Sequence, residues 1–223
     1  MTEQTTRWAK TPFYFNSAAY LVRIQRDRAN TLGEFAEGLR KSPDDAIFYH
    51  AYQTLQEHHY IREGFSNDFA HWAFASCNEV GLAEQLASID VREFTSIADV
   101  RDRLTTIVDN YLAENEKARD RVAFEPFYFF ASDMVVIPTP YVARTLEEFV
   151  EGLRKVSLQS IHYHFLSARL RLHLSSNDFS QWLEEEMELP KLANKVDHID
   201  IYTSTLTDVR NQMIRLLEQA AAA

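Results

Sequence analysis

The chain has 223 residues, of which 46% are hydrophobic and 25% charged, and it carries a formal net charge of −10 at pH 7. This length allows one large domain or two small ones with a real core. The negative charge repels phosphate groups, so we expect neither a nucleic-acid partner nor a membrane partner.

The first predicted elements lie within residues 13–58. We interpret residues 13–25 as an extended segment followed by a short helix, because Ala18-Ala19-Tyr20-Leu21 has a helical composition. Thr31-x-x-Glu34 has the pattern of a capping box, so a helix is predicted to begin there. Residues 44–58 predict a second helix.

The next predicted elements, up to residue 114, are all helices. Asn67 or Asp68 can cap a third helix, which places Phe69 and Trp72 on one face. Residues 82–87 predict a short helix. Ser96 is the expected cap of a long last helix with an apolar stripe. The members of that stripe are Val100, Leu104, Ile107, Val108, Tyr111 and Leu112.

The same pattern then recurs in the second half of the chain. Residues 12–59 and 126–173 are identical at 19 of 48 positions without a gap, where chance gives about three. The shift is 114 residues here, 110 around residues 66–72 and 109 around residues 99–101. We define the first copy as residues 12–114, the connector as 115–125 and the second copy as 126–219.

The repeat sets the predicted fold. Five glycines and six prolines leave little room for the many tight turns of an all-β protein. Residues 127–138 are interpreted like their counterparts, as an extended segment before a short helix, although their aromatic and β-branched content also fits a strand. We therefore predict an all-α protein of two tandem homologous helical domains, with about five helices each, packed with pseudo-twofold symmetry.

Four motifs carry a resemblance to a known family. They are Pro12-Phe13-Tyr14-Phe15, Glu37-Gly38-Leu39-Arg40-Lys41, Ile47-x-Tyr49-His50 and Asn67-Asp68-Phe69-x-x-Trp72, each repeated in the second copy. In these motifs the chain resembles an uncharacterised bacterial and archaeal helical domain of about 120 residues, present here twice. Where that pattern has a second histidine, this chain has Tyr52 and Leu166. The resemblance implies no activity.

The histidines that both copies keep are the main candidate site residues. The candidate ligand-binding residues are His50, His164, Tyr49, Tyr163, His59 and His173. One interpretation makes each histidine a buried structural residue that bonds a backbone carbonyl or the Asn-Asp turn. A second interpretation places His50 and His164 together between the copies.

A metal site is the weaker candidate. His50, Glu57 and His58 share one helix face, and such ligands can hold zinc or iron. The second copy has Arg171 and Leu172 at the last two positions, which disfavours a metal site in both copies. We therefore predict no metal and no cofactor.

The functional prediction rests mainly on missing motifs. The sequence has no nucleophile elbow, phosphate loop or metalloprotease motif, so a non-enzymatic protein-interaction or scaffold protein is the leading hypothesis. It includes a protein partner, allows a homo-oligomer and predicts an exposed apolar patch. The alternative is a metal-binding or small-molecule-binding protein, including an enzyme, that uses the repeated histidines.

The single cysteine, Cys77, predicts a soluble cytoplasmic protein without an internal disulfide.

Overall fold

A computed structural model describes residues 7–24, 26–53, 65–90, 93–167, 176–201 and 204–221 of the chain. The chain forms two compact units: unit 1 comprises residues 1–19 and 135–223, and unit 2 comprises residues 20–134. Residues 12–19 of the first copy therefore lie with the helices of the second copy. Likewise, residues 126–134 of the second copy lie with the helices of the first.

The described elements alternate between strands and groups of helices. In chain order they are β1 (Trp8–Arg23), β2 (Arg28–Thr31), α1 (Leu32–Lys41), α2 (Asp44–Phe48), α3 (Asp68–Ala75), α4 (Val80–Ala87), α5 (Ile97–Glu114), β3 (Val122–Tyr128), β4 (Ala131–Thr145), α6 (Leu146–Lys155), α7 (Leu158–His162), α8 (Asp178–Glu185), α9 (Pro190–Asp197) and α10 (Leu206–Ala221). A π-helical turn, Tyr49–Gln53, continues α2, and another, Tyr163–Ser167, continues α7. Among the described residues, no helix is both long and apolar enough to cross a membrane.

The helices begin where the sequence predicts caps. The Thr31 hydroxyl accepts a hydrogen bond from the backbone N–H of Glu34, at 3.1 Å. The Glu34 carboxylate reaches back to the N–H of Asn30, one residue before the cap, at 2.6 Å. The Asn67 side chain caps α3, and Ser96 caps α5. These side chains satisfy amides that a helix leaves unpaired in its first turn, which confirms the predicted helix starts.

The predicted all-α fold is wrong, because four strands form two small sheets, β1 with β4 and β2 with β3. Strand β2 runs antiparallel to β3, with Arg28 opposite Tyr128 and Ala29 opposite Phe127. Residues 18–21, which were predicted to be helical, lie inside β1. Pairing with a distant strand overrides local propensity there. The small number of glycines and prolines excluded only a fold with many tight turns. Two-stranded sheets need few such turns, so this composition did not exclude them.

Candidate functional site

His50 lies on the π-helical turn after α2 and is only 3% exposed. The backbone N–H of Phe130 donates to its Nε2 at 3.0 Å. Because an amide nitrogen can only donate here, Nε2 is the unprotonated ring nitrogen, and Nδ1 carries the proton. That Nδ1–H donates to the Asp68 carboxylate at 2.8 Å. Both ring nitrogens are therefore occupied, Nδ1 by the first residue of α3 and Nε2 by the backbone between β3 and β4.

His164 repeats this arrangement in unit 1 and is 1% exposed. The backbone N–H of Asn16 donates to its Nε2 at 2.8 Å, and its Nδ1 lies 2.6 Å from the Asp178 carboxylate. Asn16 and Phe130 are 114 residues apart, which is the shift that relates the two copies. Each histidine therefore fastens backbone that comes from the other copy, namely Phe130 between β3 and β4 and Asn16 within β1.

Two tyrosines accompany the histidines. The ring of Tyr49 meets His50 edge-on with centroids 4.8 Å apart, and Tyr163 meets His164 at the same distance. Tyr163 is buried, whereas Tyr49 is partly exposed. The tyrosines thus help to enclose the histidine rings on the π-helical turns.

Two tryptophans hold the same strand segments a few residues earlier. The indole N–H of Trp72 donates to the carbonyl oxygen of Glu125 at 2.7 Å. In unit 1 the indole N–H of Trp182 donates to the carbonyl of Thr11 at 2.8 Å. Glu125 and Thr11 are again 114 residues apart. A buried indole needs an acceptor for its N–H, and the strand backbone supplies it.

Two glycines receive the rings of the strand. A Cβ atom on Gly38 would lie 2.3 Å from the ring of Phe129, and one on Gly152 would lie 2.3 Å from the ring of Phe15. Such a distance is far inside van der Waals contact, so no other residue allows the ring to pack so closely on the helix. Glycine in the Glu-Gly-Leu-Arg-Lys motif is therefore a packing requirement.

We call each set of three anchors a strand clamp. In unit 2 the clamp is Gly38, His50 and Trp72, and in unit 1 it is Gly152, His164 and Trp182. Sequence reasoning selected the histidines, but it missed the glycines and tryptophans as part of the same site. Their recurrence in both copies was the available signal, and the identity of the strand they hold was not in the sequence.

Other candidate residues lie elsewhere. His59, His173, Glu57 and His58 fall outside the described residues, so the proposed metal trio of His50, Glu57 and His58 has no described geometry. Within the described part of the chain, no three His, Cys, Asp or Glu residues are grouped as a metal site would need.

Unit 2 also contains a buried polar cluster around Glu79. Glu79 is 9% exposed, and its carboxylate accepts from the Tyr111 hydroxyl at 2.6 Å and from the Arg121 guanidinium at 2.5 Å. Burial, and then the Glu79 carboxylate, raises the pKa of Tyr111 to about 12. Burial likewise raises the pKa of the nearby Cys77 thiol to about 12, so this thiol is protonated at neutral pH. In the second copy, Leu189 stands at the position of Glu79.

Unit 2 also exposes large apolar side chains around the turn that ends α3. We define its apolar surface as Phe74, Val80, Val122 and Phe124, which are 39%, 47%, 73% and 86% exposed. The backbone N–H of Phe124 donates to the Ser76 carbonyl in that turn, at 2.7 Å.

Two of the four matching positions of unit 1 carry charged residues. Lys10 is the counterpart of Phe124, and its backbone N–H donates to the carbonyl of Glu186, the counterpart of Ser76, at 3.2 Å. The Lys10 ammonium then pairs with Glu188 at 2.9 Å. Glu184 is the counterpart of Phe74. The counterparts of Val80 and Val122 are Pro190 and Trp8, and Trp8 is 63% exposed. The units therefore differ in charge at the positions of Phe74 and Phe124.

The fold and the clamps define a protein of two helical units, each of which holds a strand from the other copy. The chain belongs to a family described as a family of unknown function (DUF5752), which matches residues 10–218. The match is a single span over both copies, whereas the sequence resemblance had suggested a family domain of about 120 residues in each copy.

One solved structure is closely similar. It is described as the structure of OrfY from Thermoproteus tenax, and it is 32% identical to this chain with a TM-score of 0.85. The similarity covers 97% of this chain and 98% of that one. No curated protein matches.

Proposed function

We propose that this chain is a non-enzymatic protein-interaction or scaffold protein, built from two copies of one strand-clamping module. The observation that carries the proposal is the apolar surface of unit 2, above all Phe124. This side chain is 86% exposed, although the equivalent position of unit 1 holds an ion-paired lysine. Neighbouring exposed apolar side chains are typical of protein interfaces, and aromatic residues are enriched there.

The clamp supports the proposal because it fixes the strand that presents Phe124. Strand β3 is held by the Trp72 indole through Glu125 and by a main-chain bond from Phe124 to the turn after α3. Phe127 of the same strand is buried. A partner that covers Phe124 would therefore bind a surface that is already ordered, which lowers the entropic cost of association.

The alternative, a ligand or metal on the repeated histidines, has less support. Each described histidine of the clamps uses Nδ1 on a carboxylate and Nε2 on a backbone amide. A metal ion on Nε2 of His50 would have to displace the N–H of Phe130 and release the strand. We therefore assign these histidines to architecture and place the interaction on the surface of unit 2.

The test compares proteins retained from extracts of the native host by three immobilised chains. They are the unaltered chain, a Phe74→Glu/Phe124→Lys variant that copies unit 1, and a Trp8→Ala control that removes an exposed ring from unit 1. We expect a protein that the unaltered chain and the control retain and the double variant loses. That protein is then purified and its affinity for all three chains is measured.

Two further measurements make the test decisive. Circular dichroism melting must give similar midpoints for all three chains, and sedimentation must report whether the partner is a second copy. If the unaltered chain retains nothing that the double variant loses, and sedimentation shows no self-association that it weakens, the proposed function is wrong.

A further inference from the structure

A second surface of interest is an open groove in unit 1 between the start of α9 and the end of α10. Its volume is about 520 Å³. The apolar lining consists of Leu189, Pro190, Leu192, Leu216 and Ala220, and the rim carries Lys191 and Lys195. No residue of the apolar surface of unit 2 lines this groove.

The corresponding space in unit 2 is filled by a side chain of the same unit. The ring of Tyr111 lies 3.8 Å from where a Cβ on Gly81 would be, and its hydroxyl bonds the Glu79 carboxylate. At the shift of 109 residues, the counterpart of Tyr111 is Ala220. The groove of unit 1 is therefore the space that an aromatic ring occupies in unit 2.

Burial of the neighbouring residues agrees with this account. Ile107, which lies one helical turn before Tyr111, is 7% exposed. Its counterpart Leu216 is only partly buried and faces the groove. An aromatic or large aliphatic side chain in the groove would complete the burial of Leu216.

The rim of the groove is locally positive on an acidic protein. Lys191 and Lys195 stand one turn apart on α9, and their counterparts in the first copy are the uncharged Gly81 and Gln85. Neither lysine has an ion-pair partner among the residues that the structure describes. Glu188, at one end of the groove, is already neutralised by Arg7 and Lys10, at 3.2 and 2.9 Å.

We propose that this groove binds an acidic peptide segment of a partner protein. An aromatic or leucine side chain of the segment fills the space between Leu189 and Ala220, and carboxylates on either side of it meet Lys191 and Lys195. The inference rests on the proposed role in protein interaction, but it concerns unit 1. A negative result for the apolar surface of unit 2 therefore does not decide whether the groove of unit 1 binds a peptide, and the reverse also holds.

The probe is a fluorescein-labelled peptide, Asp-Glu-Tyr-Leu-Asp-Glu, titrated with the full chain and followed by fluorescence polarisation. We expect saturable binding below about 1 mM that weakens at high salt, because exposed ion pairs are screened. A peptide with lysine in place of every acidic residue is expected not to bind.

Three variants locate the site. Lys191→Glu/Lys195→Glu is expected to weaken binding by at least about tenfold, because two attractions become repulsions. Ala220→Tyr fills the groove without changing the charge and is also expected to weaken binding by about tenfold. Gln85→Glu places a charge at the equivalent site of unit 2 and should leave binding within about twofold.

Several outcomes would overturn the assignment. They are no saturable binding to the unaltered chain, or equal binding to the unaltered chain and to both groove variants. Self-association that Ala220→Tyr abolishes would assign the groove to a second copy of this chain instead. Loss of peptide binding in Phe124→Lys, with the groove variants unaffected, would place the peptide on unit 2 and refute the groove alone.

Discussion

The two units share their clamps and differ in their surfaces. The indole-to-carbonyl distances are 2.7 Å in unit 2 and 2.8 Å in unit 1, and the amide-to-imidazole distances are 3.0 and 2.8 Å. Around the ends of α3 and α8, in contrast, Phe74 and Phe124 of unit 2 correspond to Glu184 and Lys10 of unit 1. The buried residues that anchor a strand are therefore the same in both copies, whereas the exposed side chains beside them differ.

The buried strand rings give the strongest test of this equivalence. Phe15→Ala and Phe129→Ala should each destabilise their own unit by about 3–5 kcal/mol, because both rings are almost fully buried and leave a cavity on the helix glycine. Hydrogen exchange of backbone amides, read by mass spectrometry, reports the opening free energy of each unit separately. Tyr14→Ala is the control, since Tyr14 is 59% exposed. A large loss in only one unit would break the comparison.

The clamp histidines should come next. We expect His50→Ala and His164→Ala to cost about 3 kcal/mol each, since a carboxylate and a strand amide both lose a partner. His→Asn at either position restores a donor towards the aspartate and should recover part of the loss. Thermal melting at pH 7.5 checks both. Alanine variants as stable as the parent would mean that the histidines are free for a ligand, and would revive the alternative function.

At the helix glycines Gly38 and Gly152, we expect substitution by alanine to have the opposite effect on stability from the usual one. Glycine-to-alanine in a helix interior normally stabilises by about 1 kcal/mol. Gly38→Ala and Gly152→Ala should instead destabilise by about 1–3 kcal/mol, because the new methyl group meets a buried ring. Gly81→Ala in α4 is the control, since its nearest contact is an ordinary 3.8 Å.

A second-site change sharpens the glycine test. Phe129→Leu shortens the ring side chain and should recover part of the stability lost in Gly38→Ala. Urea unfolding gives the coupling between the two positions as a double-mutant cycle. Additive effects would show that the contact between Gly38 and Phe129 does not limit packing in unit 2.

Local signals in the sequence were sufficient for the helices but not for the strands. Thr31, Asn67 and Ser96 each accept from the amide three residues later, so the caps could be predicted. Strand β1 pairs with β4, more than a hundred residues along the chain, and no local pattern reports such a partner. The alanine-rich stretch 18–21 therefore looked helical although it pairs as a strand.

The candidate site was predicted to a similar extent. The repeat singled out His50 and His164, and the Asn-Asp turn was among the partners considered for them. The strand amide on Nε2 follows from an exchange of segments between the copies, which identical motifs cannot reveal. Glu79 and Tyr111 are 32 residues apart, and Leu189 and Ala220 replace them in the second copy, so no repeat signal pointed to their hydrogen bond.

The smallest expected effect concerns the hydrogen bond between Tyr111 and Glu79. It should make the stability of unit 2, unlike that of unit 1, depend on alkaline pH. Tyr111→Phe removes the hydrogen bond to Glu79 and should cost about 1 kcal/mol at pH 8. The pKa of Tyr111 rises from 10.0 to about 12 on folding, so the unfolded chain loses its proton first as the pH rises. The stabilisation is therefore complete below pH 10 and is lost between pH 10 and about 12.

Urea unfolding across this range measures the prediction. The difference in unfolding free energy between the parent and Tyr111→Phe should shrink steadily above pH 10. The buried Cys77 thiol acts in the same direction, with a pKa raised from 9.0 to about 12, so the test is repeated in a Cys77→Ser background. Unit 1 carries Met187 and Ala220 at these positions, neither of which titrates. A difference that stays constant with pH would mean that burial and the Glu79 carboxylate do not raise the pKa of Tyr111, and that the polar cluster does not set the alkaline stability of unit 2.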